Sequence, residues 1–236
     1  MFPLRDNVPS RSWPVMNVFL IACNLLIFLY EVSLGPRLQD FLMTFGVVPA
    51  KILYLTREEP GNLREIILPF FTSMFLHGGW FHVISNMWFL WIFGDNVEDR
   101  LGHFRYLVFY ILCGLVAGWV HYAVNPTSGV PTVGASGAIS GVMGAYYMLY
   151  PRARVLTLLP LFVFVEIIEV PAFFFLGFWF VMQLLQGMFS LAMVDTMSGG
   201  VAWWAHAGGF AAGAVLVFVF KRRSYRGVYR DQYWPW

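Results

Sequence analysis

The sequence predicts an all-α membrane protein, a six-transmembrane-helix bundle with a large interfacial first loop. Of its 236 residues, 59% are hydrophobic and only 12% are charged, whereas a soluble domain carries about 25% charged residues. Six apolar segments approach the length of about 20 residues that a helix needs to cross a bilayer. The low charged fraction therefore places the chain in a membrane, and the six segments define the class of fold.

The six predicted spans differ in length and polarity. The fourth is short, and its glycines and serines lower its hydropathy. The spans cover residues 13–34, 77–97, 104–124, 134–150, 170–191 and 202–220.

Two connections between the spans are unusual. Residues 35–70 contain the amphipathic stretches FLMTFGVVPAKILYL and LREIILPFF, which we expect to lie in the membrane interface. Residues 155–169 contain Pro160, Glu166 and Glu169. These three residues argue against a further span, so we expect an interfacial connection into the fifth helix.

The basic residues predict the orientation of the bundle, because cytoplasmic loops carry an excess of Lys and Arg. With six spans and the N-terminus inside, the outer segments hold four basic residues, all in the first loop: Arg37, Lys51, Arg57 and Arg64. The inner segments hold eleven: Arg5, Arg11, Arg100, Arg105, Arg152, Arg154, Lys221, Arg222, Arg223, Arg226 and Arg230. Both termini are therefore expected to be cytoplasmic.

Composition also excludes several classes of function. The net charge of +2 and the lack of a basic-aromatic patch exclude a nucleic-acid partner. Cys23 and Cys113 lie in apolar runs and are expected to act as small hydrophobes. We predict no metal and no cofactor, since no HExxH motif occurs and His77 and His82 fall on different sides of a helix. We also expect no cleaved signal peptide.

The chain is predicted to be a single membrane domain, residues 1–236. A short N-terminal tail of about residues 1–12 and a basic C-terminal tail of about residues 221–236 flank the spans. No internal repeat is visible.

Ser136 is the first candidate for chemistry. The preceding NPTSGVPT is rich in helix breakers, so the fourth helix is expected to start near Gly134. Ser136 would then lie in the first turn, where backbone N–H groups lack an intrahelical partner and favour negative charge. A hydroxyl there can attack a carbonyl while its own N–H holds the oxyanion. The alternative is that Ser136 only caps the helix.

Glycines at helical spacing predict that the fourth and sixth helices pack closely. Gly137 and Gly141 form one GxxxG pair, and Gly209 and Gly213 form another. His206 shares the face of the second pair, at a depth similar to that of Ser136. His206 would therefore serve as the general base towards Ser136; an interhelical hydrogen bond is the alternative role.

Two polar residues of the second span can contribute to an oxyanion hole. His82 and Asn86 are four residues apart, so they lie on one helical face and both can donate hydrogen bonds. A structural polar contact is the alternative. No acid is suitably placed for a triad, since Asp195 lies in the loop before the sixth helix, and we predict a catalytic dyad. The GxSxG elbow is also absent, because position 138 is Ala.

Three motifs, in this order and on alternate predicted helices, resemble those of the rhomboid family of intramembrane serine proteases. They are HGGWFHVISNMWFLWIFGDNVED, GASGAISGVMGAY and AHAGGFAAG. The resemblance extends from about residue 14 to residue 220. It is to the basic six-helix prokaryotic form, which has no added cytosolic domain.

The resemblance implies a role for each matched residue. Ser136 corresponds to the nucleophile and His206 to the base of the dyad. His82 and Asn86 correspond to the oxyanion helpers, together with the Ser136 backbone N–H. His77 matches a histidine near the family's water-filled cavity, with a structural or hydration role.

The resemblance also implies a transmembrane protein substrate that enters laterally near the second and fifth helices. It implies a cavity open to the outer side of a membrane, here expected to be a prokaryotic plasma membrane. Partners would be this substrate and the lipid bilayer, and no oligomeric state is predicted.

Two departures from the family concern packing. Position 140 is Ser, where some members place an aromatic residue against the histidine, and the first loop has no Trp-Arg pair. Neither departure removes a reacting group.

Two other functions are compatible with a polar membrane bundle. A catalytically inactive rhomboid-like protein would bind transmembrane segments without cleaving them, but such proteins typically lack the serine or the histidine. A small transporter would use the histidines as a proton relay, but the sequence lacks the matched broken helices this predicts.

Overall fold

The computed structural model describes residues 1–161, 164–192 and 202–222. Most of the predicted C-terminal tail and Asp195 lie outside these residues. In the described part, the elements follow in this order: β1 (Phe2–Asp6), α1 (Val15–Ser33), α2 (Leu38–Phe45), α3 (Pro49–Glu58), α4 (Leu63–Thr72), α5 (Trp80–Leu101), α6 (His103–Val124), α7 (Ser136–Leu149), β2 (Arg154–Leu161), β3 (Phe164–Pro171), α8 (Ala172–Ala192) and α9 (Trp203–Phe220).

The long helices match the predicted membrane bundle. By length and composition, α1, α6, α8 and α9 can each cross a membrane, as judged over the described residues. A fifth crossing results if Leu63–Phe75 and Trp80–Leu101, which meet at 78°, are counted as one bent span. The all-α membrane bundle is confirmed, and six as the number of spans stays a prediction.

Helix α7 is the short element at the centre of the bundle. Its 14 residues extend only about 21 Å, less than the hydrocarbon thickness of about 30 Å. The run Gly137–Tyr146 is buried throughout, because α5, α6, α8 and α9 all pack against it. At least one end of α7 therefore lies inside the hydrocarbon layer, where protein surrounds it instead of lipid.

Glycines allow α7 and α9 to touch backbone to backbone. A Cβ atom on Gly209 would lie 2.0 Å from the carbonyl oxygen of Gly137, and one on Gly213 would lie 1.9 Å from that of Gly141. On the α7 side, a Cβ atom on Gly144 would lie 2.1 Å from the carbonyl oxygen of Phe210. Any side chain at these positions would push the two helices apart.

A three-stranded antiparallel sheet, which was not predicted, lies at the end of the bundle opposite Ser136. It has the order β1-β2-β3, and its hairpin β2–β3 occupies the segment predicted to be an interfacial connection. The β-branched and aromatic residues of that segment suit a strand. Strand β1 joins through Phe2↔Leu158 and Asp6↔Val155, so part of the predicted N-terminal tail is a strand of the fold.

The start of α1 is held by a carboxylate from α5. The N-cap residue Pro14 makes no side-chain cap, and the Glu98 carboxylate accepts the N–H groups of Met16 at 2.9 Å and Asn17 at 2.7 Å. The side chain of Asn17 donates to the carbonyl of Leu90 at 3.0 Å and accepts from the Tyr106 hydroxyl at 2.8 Å. One polar cluster thus fixes α1 to α5 and α6.

We predict that Gly213→Ala lowers the free energy of unfolding by about 1–3 kcal/mol, the usual cost of overpacking, because the new methyl group meets backbone that cannot rotate away. The midpoint of thermal unfolding in detergent measures this. Gly177→Ala in α8 is the matched control: its Cβ atom would lie 3.6 Å from Tyr147, an ordinary contact, and alanine favours a helix. Equal midpoints for the two variants would contradict this account of the α7–α9 interface.

Asp6 attaches the sheet to the bundle. Its carboxylate accepts hydrogen bonds from the Asn96 side chain at 2.9 Å and from the Tyr146 hydroxyl. Burial raises the pKa of Asp6 from 3.8 to about 7, with a smaller contribution from the nearby Asp95, while the bond from Tyr146 opposes the shift. At neutral pH the docked carboxyl is therefore near the midpoint of its titration.

We predict that docking of β1 weakens as the pH rises from about 4 to about 7. The docked carboxyl keeps its proton to higher pH than the undocked one, so its contribution is complete below pH 4 and is lost as the pH passes 7. The loss is at most about 1.4 kcal/mol per pH unit. Hydrogen-exchange protection factors of the β1 amides measure it, and Asp6→Asn should flatten the dependence. A wild-type slope of zero, or an unchanged slope in Asp6→Asn, contradicts the prediction.

Candidate active site

Ser136 and His206 meet between α7 and α9. The Oγ atom of Ser136 lies 2.7 Å from Nε2 of His206, at hydrogen-bond distance. Ser136 is the first residue of α7, which has no side-chain cap, so its hydroxyl contacts the imidazole instead of capping the helix. His206 is only 8% exposed. The structure thus brings the two predicted dyad residues into direct contact.

The loop before α7 is tied down by backbone hydrogen bonds to the first loop. Val47 and Thr132 exchange N–H···O bonds of 3.0 and 2.8 Å, and the N–H of Gly134 donates to the carbonyl of Ser73 at 2.9 Å. These bonds fix the chain immediately before Ser136. The first turn of α7, whose N–H groups lack intrahelical acceptors, is therefore held in a defined position.

Gly134 has two reasons to be glycine. Its φ of +130° lies in the region that side chains disfavour. A Cβ atom there would also lie 2.7 Å from Nε2 of His82 and 3.5 Å from Oγ of Ser136. The missing side chain thus leaves the His82 ring and the serine hydroxyl beside the same small space.

The hydrogen bonds of His82 indicate which of its ring nitrogens carries the proton. Nδ1 accepts a long hydrogen bond, 3.4 Å, from the N–H of Gly78. In a neutral imidazole with Nδ1 as the acceptor, Nε2 carries the proton and is a donor. That donor is the atom beside Gly134 and Ser136.

Asn86 follows His82 by one helical turn. It is 7% exposed, and its amide nitrogen has no hydrogen-bond partner among the described residues. A buried amide without an acceptor costs free energy, so this donor is available to an oxygen that enters the site.

His77 packs against His82. Its ring packs edge-on against the rings of His82, at 5.1 Å between centroids, and Phe28, at 6.4 Å. The carboxylate of Glu31 in α1 accepts its backbone N–H at 3.1–3.2 Å. Both Glu31 and His77 are 1% exposed. This contact fixes the chain that leads into α5.

Sequence reasoning missed the surroundings of His206. The rings of Trp179 in α8 and Trp203 in α9 lie 5.9 and 6.3 Å from the imidazole. The Gln183 side chain places Oε1 2.8 Å from Nδ1 of the histidine. Ser140, at the position where some rhomboids carry an aromatic residue, donates instead to the carbonyl of Ser136 at 2.6 Å.

Gln183 gives a weak signal in the sequence. It is one of two glutamines in an otherwise apolar helix (the other is Gln186) and is 6% exposed. A buried amide in a membrane helix points to a polar partner, but the sequence alone does not show which helix supplies it.

The arrangement can perform nucleophilic chemistry. A serine hydroxyl next to an imidazole acceptor can lose its proton as it attacks an electrophilic carbon. Nε2 of His82 lies beside Gly134 and Ser136, Asn86 follows it on the same face of α5, and the N-terminus of α7 begins at Ser136, so these groups can offer donors to a developing negative charge. No group of three His, Cys, Asp or Glu residues in the described part of the chain can hold a metal ion.

A multi-pass membrane bundle with an enclosed serine–histidine pair is the class that the fold and this site define. The sequence profile of the rhomboid domain matches residues 64–223, more than half of the chain. The protein belongs to the rhomboid family.

Three relatives illustrate the match. The chain is 38% identical over 111 residues to Rhomboid-like protein 11, chloroplastic, of Arabidopsis thaliana. This match covers 47% of the chain and 37% of the relative. It is 32% identical over 149 residues to the human Presenilin-associated rhomboid-like protein, mitochondrial, covering 61% and 36%. It is 30% identical over 240 residues to RHOMBOID-like protein 1 of Arabidopsis thaliana, covering 92% and 54%. The chain thus spans from about a third to about a half of each relative.

We predict that Gly134→Ala slows the reaction of Ser136 with a fluorophosphonate probe by at least roughly tenfold. The new methyl group both strains the backbone and displaces the His82 donor, and loss of one such donor costs about 10²–10³ in rate in a serine hydrolase. Labelling rates in detergent measure this.

Gly129→Ala is the matched control, because it lies in the same loop with nothing within 4 Å of the added Cβ atom. Its labelling rate should equal that of the wild type. Equal labelling rates for Gly134→Ala and Gly129→Ala would contradict the prediction that a side chain at position 134 displaces the His82 donor.

Proposed function

We propose that the protein is an intramembrane serine protease that hydrolyses peptide bonds in or near transmembrane segments of membrane proteins. The observation that carries the proposal is the 2.7 Å contact between Ser136 Oγ and His206 Nε2 inside the bundle. A paired serine and histidine buried among spanning helices has a direct use in acyl transfer. Membership of the rhomboid family, which includes such proteases, supports the same reaction.

The reaction would proceed in two halves. Nε2 of His206 takes the proton of Ser136 as Oγ attacks the scissile carbonyl carbon, and the imidazolium then protonates the leaving amine. The resulting ester of Ser136 is attacked by a water molecule whose proton passes to His206. The acid product leaves, and the serine regains its proton.

Three donors would stabilise the carbonyl oxygen as it becomes negative. The Ser136 backbone N–H is free of an intrahelical acceptor because it opens α7. Nε2 of His82 faces the same space, and the amide nitrogen of Asn86 has no other partner among the described residues. Removing one such donor from the oxyanion hole of a serine protease costs about 2.7–4 kcal/mol. His77 would support His82 from behind, without contact with the substrate.

The substrate would be a membrane-spanning protein. A helical segment hides its amides in its own hydrogen bonds, so the segment must unwind before Ser136 can reach a carbonyl. We propose lateral entry between α5 and α8, as the resemblance to rhomboids implies. The cofactor-free chemistry needs only this substrate, water and the bilayer.

The orientation is a further part of the proposal. Eleven of the 15 basic residues fall on the side of the sheet and both termini if the six spans are correct, which places Ser136 towards the outer side. The findings support a multi-pass membrane protein. The choice of a prokaryotic plasma membrane stays a prediction, because two of the three relatives carry organellar names.

We predict that Ser136→Ala and His206→Ala each abolish cleavage of a transmembrane substrate by the purified protein in liposomes. Ser136→Ala removes the attacking oxygen, and His206→Ala removes the proton acceptor. The rate of cleavage by each variant should therefore fall to background. The measurement is the appearance of the two product fragments on a gel.

Ser140→Ala is the matched control. It lies one turn along α7 and its hydroxyl bonds only a helix carbonyl, so cleavage should persist. Fluorophosphonate labelling distinguishes an active protease that does not cut the chosen substrate from an inactive protein. Labelling of wild type but not of Ser136→Ala supports the nucleophile even where the chosen substrate is not cut. A folded wild type that neither cleaves nor labels identifies the inactive, segment-binding alternative.

A further inference from the structure

Gln183 is the hydrogen-bond partner on the far side of the His206 ring. It lies in α8, a helix that supplies none of the residues predicted from sequence to act in the site. Its Oε1 is 2.8 Å from Nδ1 of His206, and both residues are at least nine-tenths buried. The chain Gln183–His206–Ser136 therefore runs continuously from α8 through α9 to α7.

A second, longer contact favours one orientation of the Gln183 amide. Its Nε2 lies 3.4 Å from the backbone carbonyl of Trp179, one turn back in α8, and donates to it. Turning the amide over would bring two carbonyl oxygens together and lose that bond. Oε1 therefore faces the imidazole and can only accept.

An acceptor at Nδ1 determines the tautomer of the ring. Nδ1 must carry the proton in order to donate to Oε1, which leaves Nε2 with its lone pair towards the hydroxyl of Ser136. In the opposite tautomer, Nε2 would donate to the serine and could not take its proton. Holding the correct tautomer is the part that the aspartate plays in a serine protease triad.

We propose that Gln183 is a positioning residue that holds His206 in the Nδ1–H tautomer and in the orientation needed to deprotonate Ser136. This inference rests on the proposed function. The serine and histidine would then form a hydrogen-bonded triad, in which the neutral amide of Gln183 is the third member. Because the amide carries no charge, it orients the ring without adding a buried anion to the membrane interior.

The shell around the ring supports this role. Trp179 and Trp203 border the imidazole, and Ser140 of α7 bonds to its own helix. In this protein the contacts that orient His206 therefore come from α8 and the start of α9. The backbone carbonyl of Trp179 also accepts a hydrogen bond from the Gln183 amide. One turn of α8 therefore provides both the tilted ring next to the imidazole and the acceptor for Nδ1.

The kinetic test compares Gln183→Met with Gln186→Met. Methionine has the same length as glutamine but no comparable acceptor, and Gln186 lies in the same helix three residues further on. For Gln183→Met we expect kcat for a transmembrane substrate to fall by about 10–100-fold, within the usual contribution of general-base catalysis, with KM little changed. Gln186→Met should match the wild type.

Gln183→Glu distinguishes positioning from packing. A carboxylate keeps the acceptor and favours the protonated imidazole, so activity should persist with the acidic limb of the pH–rate profile moved to higher pH. A residue that only fills space would leave the profile unchanged. An unmoved profile in Gln183→Glu, or equal kcat in Gln183→Met and Gln186→Met, overturns the proposal.

A spectroscopic test needs no substrate. In protein labelled with ¹⁵N-histidine, the ring shifts of His206, assigned by comparison with His206→Ala, distinguish the two tautomers. The expected result is Nδ1–H in the wild type and loss of that preference in Gln183→Met. A wild-type Nε2–H tautomer overturns the proposal whether or not the protein cleaves, whereas an inactive protein with the Nδ1–H tautomer overturns the proposed function alone.

Discussion

The close contact of α7 with α9 is the constraint on which the rest of the site depends. Ser136 and His206 belong to different helices, and their 2.7 Å contact exists only because glycines let the two backbones touch. A Cβ atom at Gly209 or Gly213 would overlap a facing carbonyl by more than 1 Å. The same displacement would separate the Ser136 hydroxyl from the His206 imidazole. The glycines therefore account for both the packing of the two helices and the serine–histidine contact.

The buried polar groups of the bundle differ in whether they are hydrogen-bonded. Away from the serine, the buried Asn17 and Glu98 are engaged with backbone or side-chain partners, as low dielectric surroundings require. The amide nitrogen of Asn86, one turn after His82 in α5, is among the buried polar atoms without a partner in the described residues. The hydrogen bonds of Asn17 and Glu98 thus join α1 to α5 and α6, whereas the amide nitrogen of Asn86 is a donor that an incoming oxygen could use.

Sequence patterns predict the parts of this architecture that depend on local periodicity. Apolar length predicts the long helices, and i, i+4 spacing places His82 and Asn86 on one face and pairs the glycines. The same reasoning misses contacts between distant segments. Glu98 capping α1 and β1 pairing with β2 depend on tertiary approach, which composition does not encode. The contact of Gln183 with His206 is of the same kind, because its partner lies on another helix. A third residue is also expected to be an acid, although an amide can accept a hydrogen bond as well.

The burial of α7 explains why the orientation of His206 is supplied from elsewhere. Gly137–Tyr146 is buried throughout, and at position 140, where some rhomboids place a ring, the Ser140 hydroxyl donates to the carbonyl of Ser136. The aromatic contact has to come from a neighbouring helix, and α8 brings Trp179 together with Gln183 one turn later. A helix that packs on the dyad from outside can thus set the direction in which the base accepts a proton. The close α7–α9 contact brings the Ser136 hydroxyl to the imidazole of His206, and in the proposed role of Gln183, α8 determines which imidazole nitrogen carries the proton.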